Sequence, residues 1–241
     1  MIYVGCAGWN IPKASASRFP TKGSHLERYS RALPCVEINS SFYRPHRRAT
    51  YERWRDSVPA DFRFSVKMPK QITHERRLIE VDDELAAFVD EISGLDQKLG
   101  CILIQLPPSL AFADREVGLF FAQFRRRTKV AAVCEPRHPT WFCEAAERRM
   151  MQYEIARVAA DPAPVSGTDK PAGCTAVSYY RWHGSPRMYY SAYDDSTLQK
   201  LTELLRTYAQ TKEAVWCIFD NTAQGAAFDN AVSTWRDSFA R

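Results

Sequence analysis

Residues 61–67 read DFRFSVK, and the alternation inside this run sets how the rest of the chain is read. Phe62, Phe64 and Val66 recur at every second position, with Arg63, Ser65 and Lys67 between them. A period of two belongs to an extended strand, whose successive side chains point to opposite faces. One face of this strand is therefore apolar and the other polar. Outward along the chain, strand-like runs recur near 2–8, 35–39, 101–106, 130–135, 155–160, 174–182 and 214–219, which with 62–67 makes eight. Helix-like stretches fall between them near 24–33, 49–57, 82–98, 114–127, 142–153, 194–211 and 225–238. The Pro- and Gly-containing segment 161–173 reads as loop in place of one crossover helix. Strands that alternate with helices are parallel and joined by right-handed crossovers, and eight of them close most naturally into a single (β/α)8 TIM-type barrel. The alternative α/β fold, an open doubly wound sheet, would carry a glycine-rich first turn that is absent here.

At 241 residues, with 45% hydrophobic and 25% charged side chains, the chain has the size and balance of one such domain, 1–241. No run approaches the roughly 20 apolar residues of a membrane span. MIYVGCAGW reads as a strand without a basic leader, so a cytoplasmic location is expected. Six of the seven cysteines, Cys6, Cys35, Cys101, Cys134, Cys174 and Cys217, lie in apolar strand-like runs without CxxC spacing, as buried reduced thiols do. A net charge of +5 and a pI near 8.8 lean toward anionic partners without reaching the balance of a dedicated nucleic-acid binder.

Parity places the polar residues. If Phe62, Phe64 and Val66 face the helices, then Arg63, Ser65 and Lys67 face inward, and the same test turns Glu37, Asn39, Gln105 and Glu135 inward. Tyr179, Arg181 and His183 share one face, while Asp161 and Asp220 end strands six and eight. Most of these residues come late in their strands, at the barrel end where active sites are built. A purely structural network is the competing account, with Arg63, Lys67, Arg157 and Arg181 neutralising Glu37, Glu135, Asp161 and Asp220.

Glu37 and Glu135, from different strands, are the residue types that acid/base chemistry needs. His183 is grouped with them as a catalytic candidate. His74, His138 and His183 follow strands without HxH or HExxH spacing and beside Lys67, Arg137 and Arg181, so no metal and no cofactor is expected. Those cations suit phosphate or carboxylate. Tyr43, Trp141, Tyr180 and Trp182 are candidate stacking surfaces, although core packing is the commoner use of large aromatics. Basic runs at 44–48 and 76–77 sit after strands two and three and would rim the pocket, while Arg125–Arg127 reads as a solvated helix face. An anion site is expected between the loops after strands seven and eight. There HGSP and the small residues Gly225, Ala226 and Ala227 would expose backbone, with Arg181, His183 and the Asn221 amide beside them.

The runs VEINSSFYR, FRFSVKMPKQITH, LIQLPPSL, CEPRHPTWF, YYRWHGSPRMYYSAY and IFDNTAQGAA, in this order, resemble the YecE-like family, domain-of-unknown-function family 72. The resemblance implies a TIM-type barrel. It also implies a pocket formed by Glu37, Asn39, Tyr43, Lys67, His74, Gln105, Glu135, Arg137, His138, Trp141, Arg181, His183, Gly184, Asp220 and Asn221. It implies no activity. From pocket composition the expected function is an enzyme, a hydrolase or lyase, acting by acid/base chemistry on a small anionic substrate, phosphorylated or nucleotide-derived. The alternatives are a nucleic-acid-binding or repair-like barrel and a non-catalytic ligand-binding protein.

Overall fold

A computed structural model of the chain describes residues 1–18, 21–174 and 176–238. Its strands are β1 (Ile2–Cys6), β2 (Cys35–Ile38), β3 (Arg63–Lys67), β4 (Leu99–Gln105), β5 (Ala132–Glu135), β6 (Ile155–Arg157), β7 (Ala159–Asp161), β8 (Ala172–Gly173), β9 (Val177–Trp182) and β10 (Ala214–Phe219). Between them run α1 (His25–Tyr29), α2 (Arg48–Asp56), α3 (Asp82–Ile92), α4 (Asp114–Arg127), α5 (Glu144–Gln152), α6 (Asp195–Ala209) and α7 (Ala226–Asp237). The fold is α/β. Thr175, inside the expected strand 174–182, lies outside the described residues, as do 19–20 and 239–241.

The strands form two sheets, one ordered β1-β10-β9-β7 and the other β2-β3-β4-β5-β6-β8. Every pairing is parallel except the short antiparallel one of β8 with β6, inside the stretch read as loop. The expected single strand 155–160 is thus corrected to two, β6 in one sheet and β7 in the other. Val158 between them donates its amide to Cys134 O at 2.9 Å, so the chain passes from one sheet to the other within one residue. At the other junction Ala7 bridges to Glu37, and the Gly8 amide donates to Glu37 O at 2.9 Å. Nearby, the buried Tyr29 hydroxyl accepts from the Cys6 amide at 2.8 Å and donates to Cys35 O at 2.9 Å.

Strand parity divides the core in two. Val36, Ile38, Phe62, Phe64, Val66, Ile102, Ile104, Cys134, Val215, Cys217 and Phe219 pack against the helices with Leu85, Phe88, Phe120, Phe124, Leu201 and Phe228. The opposite parity, Tyr3, Cys35, Cys101, Leu103, Val133, Ala156, Tyr179, Trp216 and Ile218, forms a second cluster drawn from both sheets. Tyr3 and Tyr179 lie 4.7 Å and 6.0 Å from the Trp216 ring, the second in a stacked arrangement. This cluster is the floor on which the polar residues of the same faces stand.

Helix ends follow from local chemistry. Ser24 and Glu27 close a capping box on α1, and Asp194 accepts from the Thr197 amide at 2.8 Å at the start of α6. The reading of Arg125–Arg127 as a solvated face is corrected for two of the three. The Arg125 guanidinium donates to the carbonyls of Tyr153, Val130 and Glu154, where it holds the end of α4 to the turn after α5, and Arg127 pairs with Asp82. Among the described residues no helix is long and apolar enough to cross a membrane.

Candidate functional site

Past the aromatic floor, the inward positions late in β2, β5, β9 and β10 become charged. Arg181, on β9 and 1% exposed, is the hub. Its Nε donates to Glu37 Oε2 at 3.1 Å and its Nη2 to Glu37 Oε1 at 2.8 Å, a two-point grip on a carboxylate from the other sheet. Nη1 donates to Glu135 Oε2 at 2.7 Å, and Nη2 also reaches Asp220 Oδ2 at 3.1 Å. The Tyr179 hydroxyl, one turn of the pleat below, donates to Glu37 Oε2 at 2.9 Å and lies 2.8 Å from Ser65 Oγ. Charges buried this deeply persist only when paired and hydrogen-bonded, and here each oxygen of Glu37 and Glu135 has a donor or cation within reach.

His183, fully buried, extends the cluster. Its Nδ1 lies 3.0 Å from Asp220 Oδ2, and its Nε2 lies 2.9 Å from Glu135 Oε1 and 2.8 Å from Arg137 Nη2. Arg137 pairs with Glu135 Oε1 at 2.5 Å, while its buried Nε has no partner. Burial alone would push the Glu135 carboxyl up, but Arg181, then Arg137 and His183, outweigh it and hold it well below the usual range. The same contest, with Arg181 the main opponent of burial, lowers Asp220. Both carboxylates stay ionised and occupied at neutral pH.

Lys67 differs from every cation around it. It ends β3 and is 7% exposed, yet its Nζ has neither a hydrogen bond nor an ion pair among the described residues. The amine instead stands over the Phe42 ring, 4.1 Å from the centroid. Burial, then the nearby Arg181 charge, push its pKa down to about 8 against the opposing pull of Glu37, Asp220 and Glu135. The backbone holds it firmly, because Ser41 Oγ donates to both Lys67 O at 2.6 Å and Ile38 O at 2.9 Å. Ser41 belongs to the 3-10 turn Ser40–Phe42, so the same residue fixes the lysine and the ring beneath its amine.

Next to Lys67, His74 lies edge-on to Phe42 at 4.9 Å, with Nδ1 2.8 Å from Thr73 Oγ1, in a π-helical turn Gln71–Glu75. π-Turns are enriched at functional sites. Burial, then Lys67, lower the His74 pKa. Tyr43 packs edge-on against Phe42 and is 68% exposed. Gln105 pairs in register with Glu135 and donates from Nε2 to Leu106 O at 2.8 Å. Asn39 follows β2 with its buried Oδ1 unpartnered.

Other expected site residues are placed elsewhere. Trp141 is fully buried, with its indole donating to Leu110 O at 2.9 Å and its rings packed on Phe112, so it is core and offers no stacking surface. Tyr180 and Trp182 point to the helix side, against Tyr208 and against Tyr193 and Phe219. His138 accepts from the Thr140 amide at 3.3 Å and caps the turn Pro139–Trp141. Of the proposed network cations, Arg157 lies on the helix side against Glu147 and Phe142, and Arg63 turns back to the carbonyls of Ala60 and Phe62. Asp161 accepts from the Tyr193 hydroxyl at 2.6 Å, apart from Arg181.

The anion site expected between the last two loops is also corrected. The Gly184 amide donates to the Tyr193 hydroxyl at 2.8 Å, the Asn221 amide donates to Ser191 O and Asn230 Oδ1, and Arg181 is held by carboxylates. A cavity of about 220 Å³ does lie at Gly225, but its other lining residues include Cys6, Ala7, Gly8 and Asn10 in and after β1. Two residues that sequence reasoning missed pack against the cluster and its neighbour Lys67. Phe42 is one. Tyr189 is the other: it holds a left-handed backbone, φ 69°, and its ring meets His183 edge-on at 5.7 Å. No pattern in RMYYSAY separates Tyr189 from its neighbouring tyrosines.

The family model "Protein of unknown function DUF72" matches residues 3–238. The chain is 32% identical over 171 residues to UPF0759 protein YecE of Escherichia coli strain K12. That match covers 68% of the chain and spans 61% of the relative's length, less than two thirds. It is 24% identical to UPF0759 protein YunF of Bacillus subtilis strain 168, with 95% and 92% covered. Its fold superimposes on a DUF72 family protein from Enterococcus faecalis V583 with a TM-score of 0.84 at 19% identity, covering 100% of this chain and 96% of that one. A DUF72 family protein from Thermotoga maritima MSB8 gives 0.81 at 22% identity, with 98% of each chain covered.

Proposed function

We propose that this chain, which belongs to the DUF72 family of proteins of unknown function, binds a small anionic ligand at the Lys67 end of its strands and uses the lysine amine on it. One observation carries the reading: among the described residues Lys67 is a buried cation without a hydrogen-bond or ion-pair partner, beside a cluster in which the other buried cations are engaged by carboxylates. A largely buried charge without a partner is costly, and an anion beside it lowers that cost. Arg137, whose Nε has no hydrogen-bond partner among the described residues, and Tyr189, edge-on to His183, lie on the other side of the same charged cluster. The acid/base role expected of Glu37, Glu135 and His183 passes to Lys67, because those three are committed to the Arg181 cluster and hold its shape. Asn39, Tyr43, His74 and Gln105 remain ligand-side residues in this reading. Inorganic phosphate titrated calorimetrically tests it: Lys67→Met is expected to weaken binding at least about tenfold, or ~1.4 kcal/mol. A variant that binds as tightly as wild type refutes it.

The two sheets are, in the same reading, arcs of one (β/α)8 TIM-type barrel forming a single cytoplasmic domain. Support comes from β6 and β7 acting as one strand kinked at Val158, from the Ala7–Glu37 bridge, and from Arg181 reaching carboxylates on both sheets. The free cysteines suit a reducing compartment. Single-stranded nucleic acid is the second reading for the ligand, favoured by exposed Tyr43 and by Arg187 stacked 3.9 Å over the exposed Tyr190. Its signature would be oligonucleotide binding that collapses steeply with salt.

A further inference from the structure

The Lys67 amine has the surroundings of a nucleophile. The arginines around it are held by carboxylates, Arg181 by three and Arg137 by Glu135, and cations elsewhere by backbone carbonyls, as Arg125 and Lys98 are. Around Lys67 the carboxylates of Glu37, Glu135 and Asp220 are near enough to act through space but are turned toward Arg181 and His183. The amine is left over the apolar Phe42 ring, without a carboxylate in hydrogen-bond contact among the described residues. Its main chain is pinned by Ser41, and β3 is paired on both edges, so the nitrogen is presented from a rigid element.

Resting on the anion-site reading above, we propose that Lys67 forms an imine with an aldehyde or ketone carbon of a small anionic substrate. The neutral amine adds its lone pair to the carbonyl carbon, the C=O π pair moves to oxygen, and the proton shed by nitrogen ends on that oxygen. The carbinolamine so formed breaks its C–O bond as the nitrogen lone pair closes C=N. The oxygen leaves as water, taking up the last nitrogen proton. Amine and carbonyl thus give imine and water, with no oxidant or reductant. Protonation makes the imine a cation, and the carboxylates of Glu37, Glu135 and Asp220 lie where their field favours it. His74, edge-on to the same Phe42 ring and close enough to feel the Lys67 charge, is the group assigned to relay protons.

With a pKa of about 8, Lys67 holds a far larger fraction of free amine at neutral pH than an ordinary lysine. The test incubates the whole protein at pH 7.5 with glyoxylate, a small anionic aldehyde, and sodium cyanoborohydride, and maps the carboxymethylated lysines by mass spectrometry. Lys67 is expected to be labelled at least about tenfold faster than surface lysines such as Lys70 and Lys200, and oxalate, a like-sized anion without a carbonyl to capture, should slow it. Lys67→Arg should still bind oxalate while labelling at the remaining lysines is unchanged. Oxalate binding without preferential trapping of Lys67 overturns the imine and leaves the anion site standing. Preferential labelling that oxalate does not slow also overturns the proposal, and absence of both binding and trapping overturns the proposal and the anion site together.

Discussion

Arg181→Met is the perturbation that best tests how the charged cluster is held. The substitution keeps an unbranched apolar stem but leaves Glu37, Glu135 and Asp220 without their shared cation, with the first two 0% and 1% exposed. Breaking a buried ion pair by removing one partner costs about 3–5 kcal/mol, because the remaining charge is stranded. For a chain of this size that lowers Tm by roughly 6–20 °C. The pH dependence gives a sharper criterion. Arg181 is the main group holding Glu135 and Asp220 below their ordinary pKa range against burial. Carboxyls depressed in this way add stability above the unfolded range of about 4, and that stability is lost as pH falls through their folded values. Without the arginine, burial raises them with less opposition, so folding takes up protons instead of excluding them. The deficit against wild type should be largest near pH 7 and narrow toward pH 4. Urea unfolding followed by tryptophan fluorescence at both pH values reads it, with Arg181→Lys as the milder variant should Met prevent folding. A loss under about 1 kcal/mol at pH 7, or a deficit that widens on acidification, would refute the account.

Lys67→Met should weaken anion binding yet stabilise the fold. A lysine lowered to about 8 opposes folding by up to about 3 kcal/mol while charged, an effect full below that pH and fading as pH rises to its ordinary value near 10.4. Denaturant melts at pH 7 and pH 10 should show the gain shrinking, and a destabilised variant at pH 7 would contradict this. Tyr29→Phe orphans the Cys6 amide and Cys35 carbonyl and should cost about 1–3 kcal/mol by the same melts, whereas a neutral result would mean the hydroxyl is dispensable. Gly184→Ala puts a Cβ 2.8 Å from Ser191 O at φ +95°, so a loss of at least about 1 kcal/mol is expected, and an unchanged Tm would show that this loop yields freely.

Much of this architecture was legible in the chain. The period-two alternation of DFRFSVK and CVEIN assigned inner and outer faces correctly, because a residue slip would expose a whole hydrophobic set. That parity also brought Glu37, Glu135 and Arg181 to one place. It could not tell how they pair, since pairing depends on where strands distant in sequence meet, as Arg181 and Glu37 do across 144 positions. Aromatics were left between two uses for a related reason: Trp141 follows a strand and could wall a pocket, but a carbonyl at Leu110 accepts its indole and lets the ring bury completely, the commoner use of a large aromatic. Asn221 and Gly184 were assigned to a ligand, while the loop they belong to uses their donors internally. The split at Val158 left no trace because an apolar run reads the same whether it pairs with one neighbour or changes neighbours midway.

Glu37 is fastened at two levels. Its carbonyl takes the Gly8 amide where β1 meets β2, and its carboxylate grips Arg181. Among the described residues that junction has one bridge, at Ala7, and the Tyr29 hydroxyl in place of a full ladder, so few hydrogen bonds resist local opening between the two sheets there. Parting it moves the peptide and the carboxylate of one residue together. Loosening the wall and unlatching the arginine are therefore a single event, and the exchange rate of the Gly8 amide becomes a clock for how often the cluster lets go.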